Sequence, residues 1–547
     1  MRPTPGRPET TNTILAIALG AACAVIYGAT LQKMPLNDGY LYIERLQLGR
    51  LYYNHLLYLP FVATFRYLLS PFVDLSPEQA LLWTSALTAG AGVSITYFAA
   101  RRFVTYPATA FAAAILLAFL PGYWFHATTT GIYAFHGIFA ALAVAALMRC
   151  AEATPLSVKL AIGIAVSISL VPMSHLSGAA VGLVAVGGAF LLRRVPRAAM
   201  ALLGSLVLFF IVYQISKVST SGLKSYEGAI VTNYYQKRFS EPEVIPLYLQ
   251  HAFEELFLYS VPASVYFFAG LRVLWRKSRN AVFLLLLWIL GYFGICALIG
   301  DRYFGSYYIS TFAAQIVVAA AALEFFSRSI IRSIGAVAFA IAPALAMQHS
   351  NGAGLIIFAI SSLALWAMAR QVPNLPEIVV KARFLRLLVP GIAAFIISIT
   401  TIVPNVILLP NPWEKVDIQL RTRVRSVLDS NPAGSGYLVI ESEPIAASYW
   451  NDILSREHPE QFFIVMGLDV YTDGTQDNYI KQALETIEKR IVSEKPIWVI
   501  GDDAQFKSGG FPRRFMDQIR KLYQFEDSEF PASPIAGGAV RRLIRKT

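Results

Sequence analysis

"YNHLLYLPFVATFRYLLS", residues 53–70, fixes how the rest of the chain is read. Read as a short transmembrane helix, it moves every later loop to the opposite side of the bilayer. Read as a helix lying in the interface, it leaves the later loops where they are. The stretch carries His55, Arg66 and the tyrosines Tyr53, Tyr58 and Tyr67 among leucine, phenylalanine and valine. Tyrosine places an apolar ring in lipid and a hydroxyl among headgroups, which suits a helix in the interface.

The distribution of basic residues chooses between the two readings. The 547-residue chain is 56% hydrophobic and 15% charged, against about 25% charged residues in soluble domains. Apolar runs of transmembrane length fall at 13–33, 79–99, 108–124, 129–148, 158–174, 177–192, 199–216, 253–273, 280–299, 308–326, 331–347, 352–369 and 386–406. With the interfacial reading and a cytoplasmic N-terminus, the clusters at Arg101-Arg102, Arg149 with Lys159, "RRVPR" from Arg193, "RVLWRKSR" from Arg272, "SRSIIR" from Ser327 and Arg370 to Arg386 share the cytoplasmic side. That is the positive-inside pattern. The expected architecture is a polytopic α-helical membrane protein of about 13 transmembrane helices over residues 1–408. The N-terminal run is read as a retained helix, because further spans follow it.

The formal net charge of +12 is accounted for by these loops, so no nucleic-acid partner is inferred. Cys23, Cys150 and Cys296 lie in or at the ends of apolar segments and form neither a disulfide framework nor a metal motif. No phosphate-binding loop and no dinucleotide-binding glycine motif follows a strand. "GAGV" from Gly90 sits inside a span, where small residues permit close helix contact.

Outside the membrane the same alternation places the first loop, 34–78, the long loop 217–252 and everything from 409 to 547. In the last region "GYLVIES" from Gly436, "QFFIVMG" from Gln461 and "KPIWVIGD" from Lys495 read as strands. Between the last two, "DNYIKQALETIEKRIVS" from Asp477 repeats Ile480, Leu484, Ile487 and Ile491 at helical spacing. A small extracytoplasmic α/β domain with a mostly parallel sheet is expected.

The outer loops hold the chemistry. Asp38 and Glu44 follow the first span. "SGLKSYEGAIVTNYYQKRFSEPE" from Ser221 carries Lys224 and Tyr226, and "GDRYFGSYYIS" from Gly300 carries Asp301 and Arg302. His55, His126 and His175 lie near the same surface without metal-ligand spacing, so no protein metal site is inferred.

The order of these features resembles the GT-C superfamily of membrane glycosyltransferases, which use polyprenyl-phosphate-linked sugars. The nearest likeness is to the TMEM260-type O-mannosyltransferase branch. Three stretches carry it: "NHLLYLPF" with His55, "HATTTGIYAFHGIFAAL" from His126 with Gly131, Tyr133, Ala134 and His136, and "VPMSHLSG" from Val171 with His175. The double proline and the glutamate of that branch are absent. The detailed likeness covers roughly residues 13 to 200.

The resemblance implies inverting sugar transfer on the outer face, from a polyprenyl-phosphate donor to a glycan, lipid or protein acceptor. It places Asp38 as general base, with Glu44 as a second candidate acid in that loop. A carboxylate at the rim of an apolar cavity has its pKa raised by desolvation, which suits proton abstraction from a hydroxyl. The leaving phosphate needs positive charge, and Arg302 beside Asp301 can bind its oxygens through a planar fork. Lys224 offers a second cation, Tyr226 a face for a sugar, and His55, His126 and His175 further contacts. A divalent cation bridging Asp38 and the carrier phosphate fits the same chemistry. The setting implied is a cell membrane, that of a bacterial inner membrane, with the C-terminal domain extracytoplasmic.

Two other classes remain open. A transporter or flippase of lipid-linked saccharides calls for paired halves or mid-membrane charges. Glu324, near the cytoplasmic end of its span, is instead matched with Arg328 one turn on. A non-catalytic envelope assembly protein is the other alternative, left open by the missing proline pair and glutamate.

Overall fold

A computed structural model describes residues 9–32, 38–47, 49, 55–152, 156–219, 245–297, 306–327, 330–347 and 351–370. In the C-terminal part it describes 436–441, 462–467, parts of 481–489, 497–500, 511–527 and 541–545. The first helices are α1 (Glu9–Ala29), α2 (Asp38–Gln47), α3 (Tyr58–Leu69), α4 (Pro77–Arg101), α5 (Pro107–Phe119), α6 (Pro121–Ala127), α7 (Tyr133–Ala151), α8 (Val158–Ser174), α9 (Val181–Leu191) and α10 (Pro196–Ser219). After the long loop come α11 (Ile245–Phe257), α12 (Phe267–Lys277), α13 (Arg279–Cys296), α14 (Ile309–Phe326), α15 (Ile330–Met347) and α16 (Asn351–Arg370). Two compact units result: residues 1–31 with 50–408, and 32–49 with 409–547.

The stretch that governs the topology forms α3, of 12 residues. At 1.5 Å per residue it is about 18 Å long, well short of the roughly 30 Å hydrocarbon core. Tyr58, Leu59 and Val62 are buried, whereas Phe61, Tyr67 and Leu68 are exposed, so the helix offers apolar surface on both sides. Ser76 then starts α4 with a reciprocal cap. Its hydroxyl accepts from Gln79 N–H at 3.1 Å, and its own N–H donates to Gln79 Oε1 at 3.0 Å.

Among the described residues, seven helices are long and apolar enough to cross a membrane, or eight if the bent pair α5–α6 counts as one. Three shorter apolar helices accompany them. The expected span 386–406 lies outside the described residues. Two expected spans differ in shape. The run 108–124 bends by 65° between α5 and α6, where Pro121 opens a new helix because proline suits a first turn and breaks a helix interior. The run 253–273 is not one helix: α11 ends at Phe257, a 3-10 turn spans Ala263–Tyr266, and α12 follows. At this break Gln315 Nε2 donates to Leu256 O at 3.0 Å, and Ser264 Oγ donates to Phe257 O at 2.7 Å. Side chains thus satisfy carbonyls that a continuous helix would have paired.

The centre of the first unit is α14, all 18 of whose residues are buried. An element apolar on every side must sit inside the bundle. Close crossings are made by glycine. A Cβ at Gly90 would lie 2.4 Å from Gly20 O, and one at Gly270 would lie 2.2 Å from Val318 O. The small residues of "GAGV" therefore serve the contact between α1 and α4, where Ser94 Oγ also donates to Ala16 O at 2.7 Å.

The loops gather at two ends. At one end Arg102 pairs with Glu152 at 2.5 Å, and Arg149 pairs with the same carboxylate. Arg197 Nη1 donates to Leu156 O at 2.7 Å, and Lys277 Nζ donates to Phe103 O at 2.8 Å. Buried Glu324 accepts from Thr105 N–H at 2.5 Å, from Thr105 Oγ1 at 2.9 Å and from Lys277 Nζ at 3.2 Å. Arg328, its expected partner, lies outside the described residues. A buried carboxylate needs such partners. The basic clusters at Arg101-Arg102, Arg149, Arg197 and Lys277 thus share one end of the bundle, as the alternation of loops requires. The other end holds the candidate site.

In the second unit five strands, β1 (Gly436–Glu441), β2 (Phe462–Gly467), β3 (Ile497–Ile500), β4 (Tyr523–Asp527) and β5 (Arg541–Arg545), form one sheet in the order β2-β1-β3-β5-β4. The three strands expected from sequence are parallel neighbours. The last two add two antiparallel pairings, so the sheet is mixed, with β5 alone running against the other four strands. Helix α17 (Phe511–Leu522) leads directly into β4. The described residues of the expected helix between β2 and β3 are helical, and Ile487 is buried. Residues 32–49, which include α2, belong to this unit, and Tyr42 and Ile43 of α2 are buried.

Candidate functional site

Four helix ends bring four histidines together. His55 precedes α3, His126 lies in the last turn of α6, His136 in the first turn of α7, and His175 follows α8. All four are buried. The connection between α6 and α7 helps to set them in place. Thr128, Thr129 and Thr130 in it are buried, so its backbone needs internal partners. Tyr58 Oη donates to Thr130 O at 3.2 Å, and Ser85 Oγ donates to Gly131 O at 3.1 Å. Tyr58, from the stretch that set the topology, thereby ties α3 to the turn that presents His126 and Tyr133.

The rings then pack around His175. His55 stacks on it with centroids 4.7 Å apart and planes 20° apart. Tyr133 lies 5.6 Å away, Tyr307 5.7 Å and His136 5.2 Å. Tyr133 and Tyr307 are themselves 5.8 Å apart, and His126 packs on Tyr133 at 4.9 Å.

Hydrogen bonds set the two central tautomers. His175 Nδ1 accepts from Ser177 N–H at 3.1 Å and lies 2.7 Å from Ser177 Oγ. Its proton therefore sits on Nε2 in the neutral ring. His136 has the opposite arrangement. Ser174 Oγ donates to Val171 O at 2.7 Å, so it accepts from His136 Nδ1–H at 2.7 Å. His136 Nε2 then accepts from Tyr292 Oη at 3.3 Å.

Burial lowers the pKa of His175, in the connection between α8 and α9, to about 3. The sign of the resulting pH dependence follows from linkage. An unfolded histidine takes up a proton near its ordinary value of about 6.5, whereas the folded ring stays neutral. The full contribution to stability is present above about pH 6.5 and is lost progressively as pH falls toward the folded value. The thermal midpoint of the purified protein should drop between pH 7 and 5, and His175→Gln should show a shallower drop. Equal slopes in wild type and variant would remove His175 as the source.

Among the described residues, no group of three or more His, Cys, Asp or Glu side chains is placed to hold a metal ion. The sequence-derived candidates divide clearly. His55, His126 and His175 come together. Asp38 opens α2, which also contains Glu44. Lys224, Tyr226, Asp301 and Arg302 lie outside the described residues. Sequence reasoning passed over His136, although it stands three residues after Tyr133 in a quoted motif, and it did not single out Tyr292, Tyr307, Ser174 or Ser177 as site residues. The pattern Ser174-His175-Leu176-Ser177 was a usable signal, since a side chain accepting the N–H two residues on marks a local turn.

No protein-family model matches the sequence, and no curated protein sequence matches it. Solved structures do. ArnT from Cupriavidus metallidurans bound to undecaprenyl phosphate superposes with a TM-score of 0.57 at 14% identity, covering 97% of this chain and 97% of that one. The apo form of the same protein gives 0.57 at 13% identity over 98% and 97% of the two chains. The fold is GT-C-like. An oligosaccharyltransferase of Archaeoglobus fulgidus in complex with Zn and sulfate is less similar, with a TM-score of 0.45 at 15% identity over 95% of this chain and 72% of that one. Within the GT-C-like bundle, the histidine and tyrosine cluster occupies the end opposite the basic loops.

Proposed function

We propose that this protein transfers a sugar from a polyprenyl-phosphate carrier to a hydroxyl-bearing acceptor at the extracytoplasmic membrane face. The observation that carries this reading is the GT-C-like fold over nearly the whole chain, together with a likeness to ArnT, a protein solved with undecaprenyl phosphate. The three separately quoted sequence stretches also meet in one cluster through His55, Tyr133 and His175.

The reaction is a single displacement. Asp38 takes the proton of the acceptor hydroxyl, and the acceptor oxygen attacks the anomeric carbon from the face opposite the phosphate. The bond between that carbon and the phosphate oxygen breaks, and the carrier leaves as polyprenyl phosphate. Arg302 binds the phosphate oxygens and stabilises the charge that develops on them, with Lys224 as a second cation. Inversion at carbon is the result. Within the superfamily we place the chain nearest the TMEM260-type branch.

Purified protein incubated with radiolabelled polyprenyl-phosphate sugars and a membrane or envelope extract should produce labelled acceptor. Absence of transfer with mannosyl, glucosyl and galactosyl donors would favour lipid-linked saccharide transport or a non-catalytic role. Orientation is tested separately. A reporter active only outside the cytoplasm, fused after Thr547, should give signal, and a cytoplasmic reporter at the same position should stay silent. The opposite result would place the basic loops outside and overturn the sidedness of the reaction.

A further inference from the structure

Ser177 holds the His175 imidazole with its proton on Nε2, and we propose that this N–H donates a hydrogen bond to a hydroxyl of the sugar on the lipid-linked donor. The inference rests on the glycosyl-transfer reading and assigns one atom of the bundle to the sugar rather than to the carrier phosphate.

Three observations support it. First, Nδ1 is occupied as an acceptor by the Ser177 backbone N–H at 3.1 Å, so the ring's one donor is on the opposite edge. Second, His175 is only 7% exposed, yet no described residue accepts from that edge. A donor without a protein partner, on a ring that is mostly buried, leaves a place for a ligand atom. Third, the described side chains packed on it are neutral rings. Tyr133, Tyr307 and His55 present aromatic rings at 5.6, 5.7 and 4.7 Å.

His136 beside it is already committed through both nitrogens, to Ser174 and to Tyr292. Next to Tyr307, Ser306 is 1% exposed and its hydroxyl has no partner among the described residues. Aromatic faces pack against the C–H faces of a sugar, and neutral donors and acceptors meet its hydroxyls. A phosphate would call for cations, and no Lys or Arg is among the described residues that pack on the His175 ring. The chemistry of these residues therefore favours the sugar.

Two substitutions separate the roles of the ring. In His175→Gln the amide nitrogen reaches close to the position of Nε2, which keeps the donor. In His175→Asn it falls near Nδ1, which loses it. The full-length protein in detergent is tested for binding of mannosyl, glucosyl and galactosyl polyprenyl phosphates and of sugar-free polyprenyl phosphate. His175→Asn should weaken the best sugar-bearing lipid by about tenfold and leave the sugar-free lipid unchanged, and His175→Gln should recover most of the loss. In transfer assays the change should fall on KM rather than on kcat.

With 15N-labelled histidine, the His175 ring of the wild type should show a proton on Nε2 from pH 8 to 5. A proton on Nδ1 would overturn the proposal. So would equal weakening of sugar-bearing and sugar-free lipid, no weakening by Asn, or a Gln variant no better than Asn at matched thermal midpoints. A wild type that binds sugar-bearing lipid but transfers nothing would refute the transfer reading and leave this contact standing. A wild type that binds none of the lipids would overturn both.

Discussion

Asp38→Asn should reduce transfer of labelled sugar by about 10²- to 10⁴-fold, the range of general acid–base catalysis, with donor binding nearly unchanged. The replacement keeps the size of the side chain and part of its hydrogen bonding while removing the oxygen that accepts a proton. Asp38 is the first residue of α2, close after the first membrane helix in sequence, and the proposed reaction places it where a carrier phosphate meets water. A polyprenyl tail stays in the bilayer, so the anomeric carbon must react near that level. The measurement compares initial rates of label transfer by wild type and variant at saturating donor. Binding of sugar-free polyprenyl phosphate and the thermal midpoint serve as controls for folding. Equal rates would take Asp38 out of the mechanism, and Glu44, six residues on in the same helix, would be the next acid to test.

The second large effect is expected at Arg302. Losing a hydrogen-bonded charge contact costs roughly 2 to 5 kcal/mol when the partner charge is left behind, or about 30- to 4,000-fold at 1.4 kcal/mol per factor of ten. Arg302→Ala should reduce donor use by that order. Arg302→Lys should recover only part, because an ammonium restores charge without the planar fork. The contrast with His175 is informative. Arg302→Ala should weaken sugar-free and sugar-bearing polyprenyl phosphate alike, whereas His175→Asn should affect only the latter. Normal turnover by Arg302→Ala would assign the residue to anchoring at the headgroups, where arginine commonly snorkels.

The membrane class of this protein was legible in composition and run length, because a bilayer forces long apolar helices on any chain that crosses it. The alternation of loops was legible in arginine placement. It is matched by the ion pair of Arg102 with Glu152 and the bond from Arg197 to Leu156 at one end of the bundle. The strands at 436, 462 and 497 could be read from short apolar runs, since strand pattern is local. The last two strands, β4 and β5, were not read, because their sequences "YQFED" and "RRLIR" mix charge with few apolar residues, and their place in the sheet comes from pairing with each other and with β3.

Where helices break was less legible. Pro121 is a local signal, but the interruption after Phe257 depends on Gln315 of α14 and Ser264 supplying partners for freed carbonyls. One of those groups is distant in sequence. The same holds for the site. His55, His126 and His175 were each visible as polar residues near an outer surface, and local sequence fixed the His175 tautomer through Ser177. Only the tertiary structure could stack His55 on His175, set Tyr133 and Tyr307 around them and give His136 to Tyr292. Likewise only tertiary contacts could group residues 32–49 with the C-terminal unit. Residue type and local spacing determine what a side chain can donate, accept or bury. Which partner it meets across 50 or 150 residues is settled by the packing of helices that the sequence pattern leaves free to choose among many neighbours.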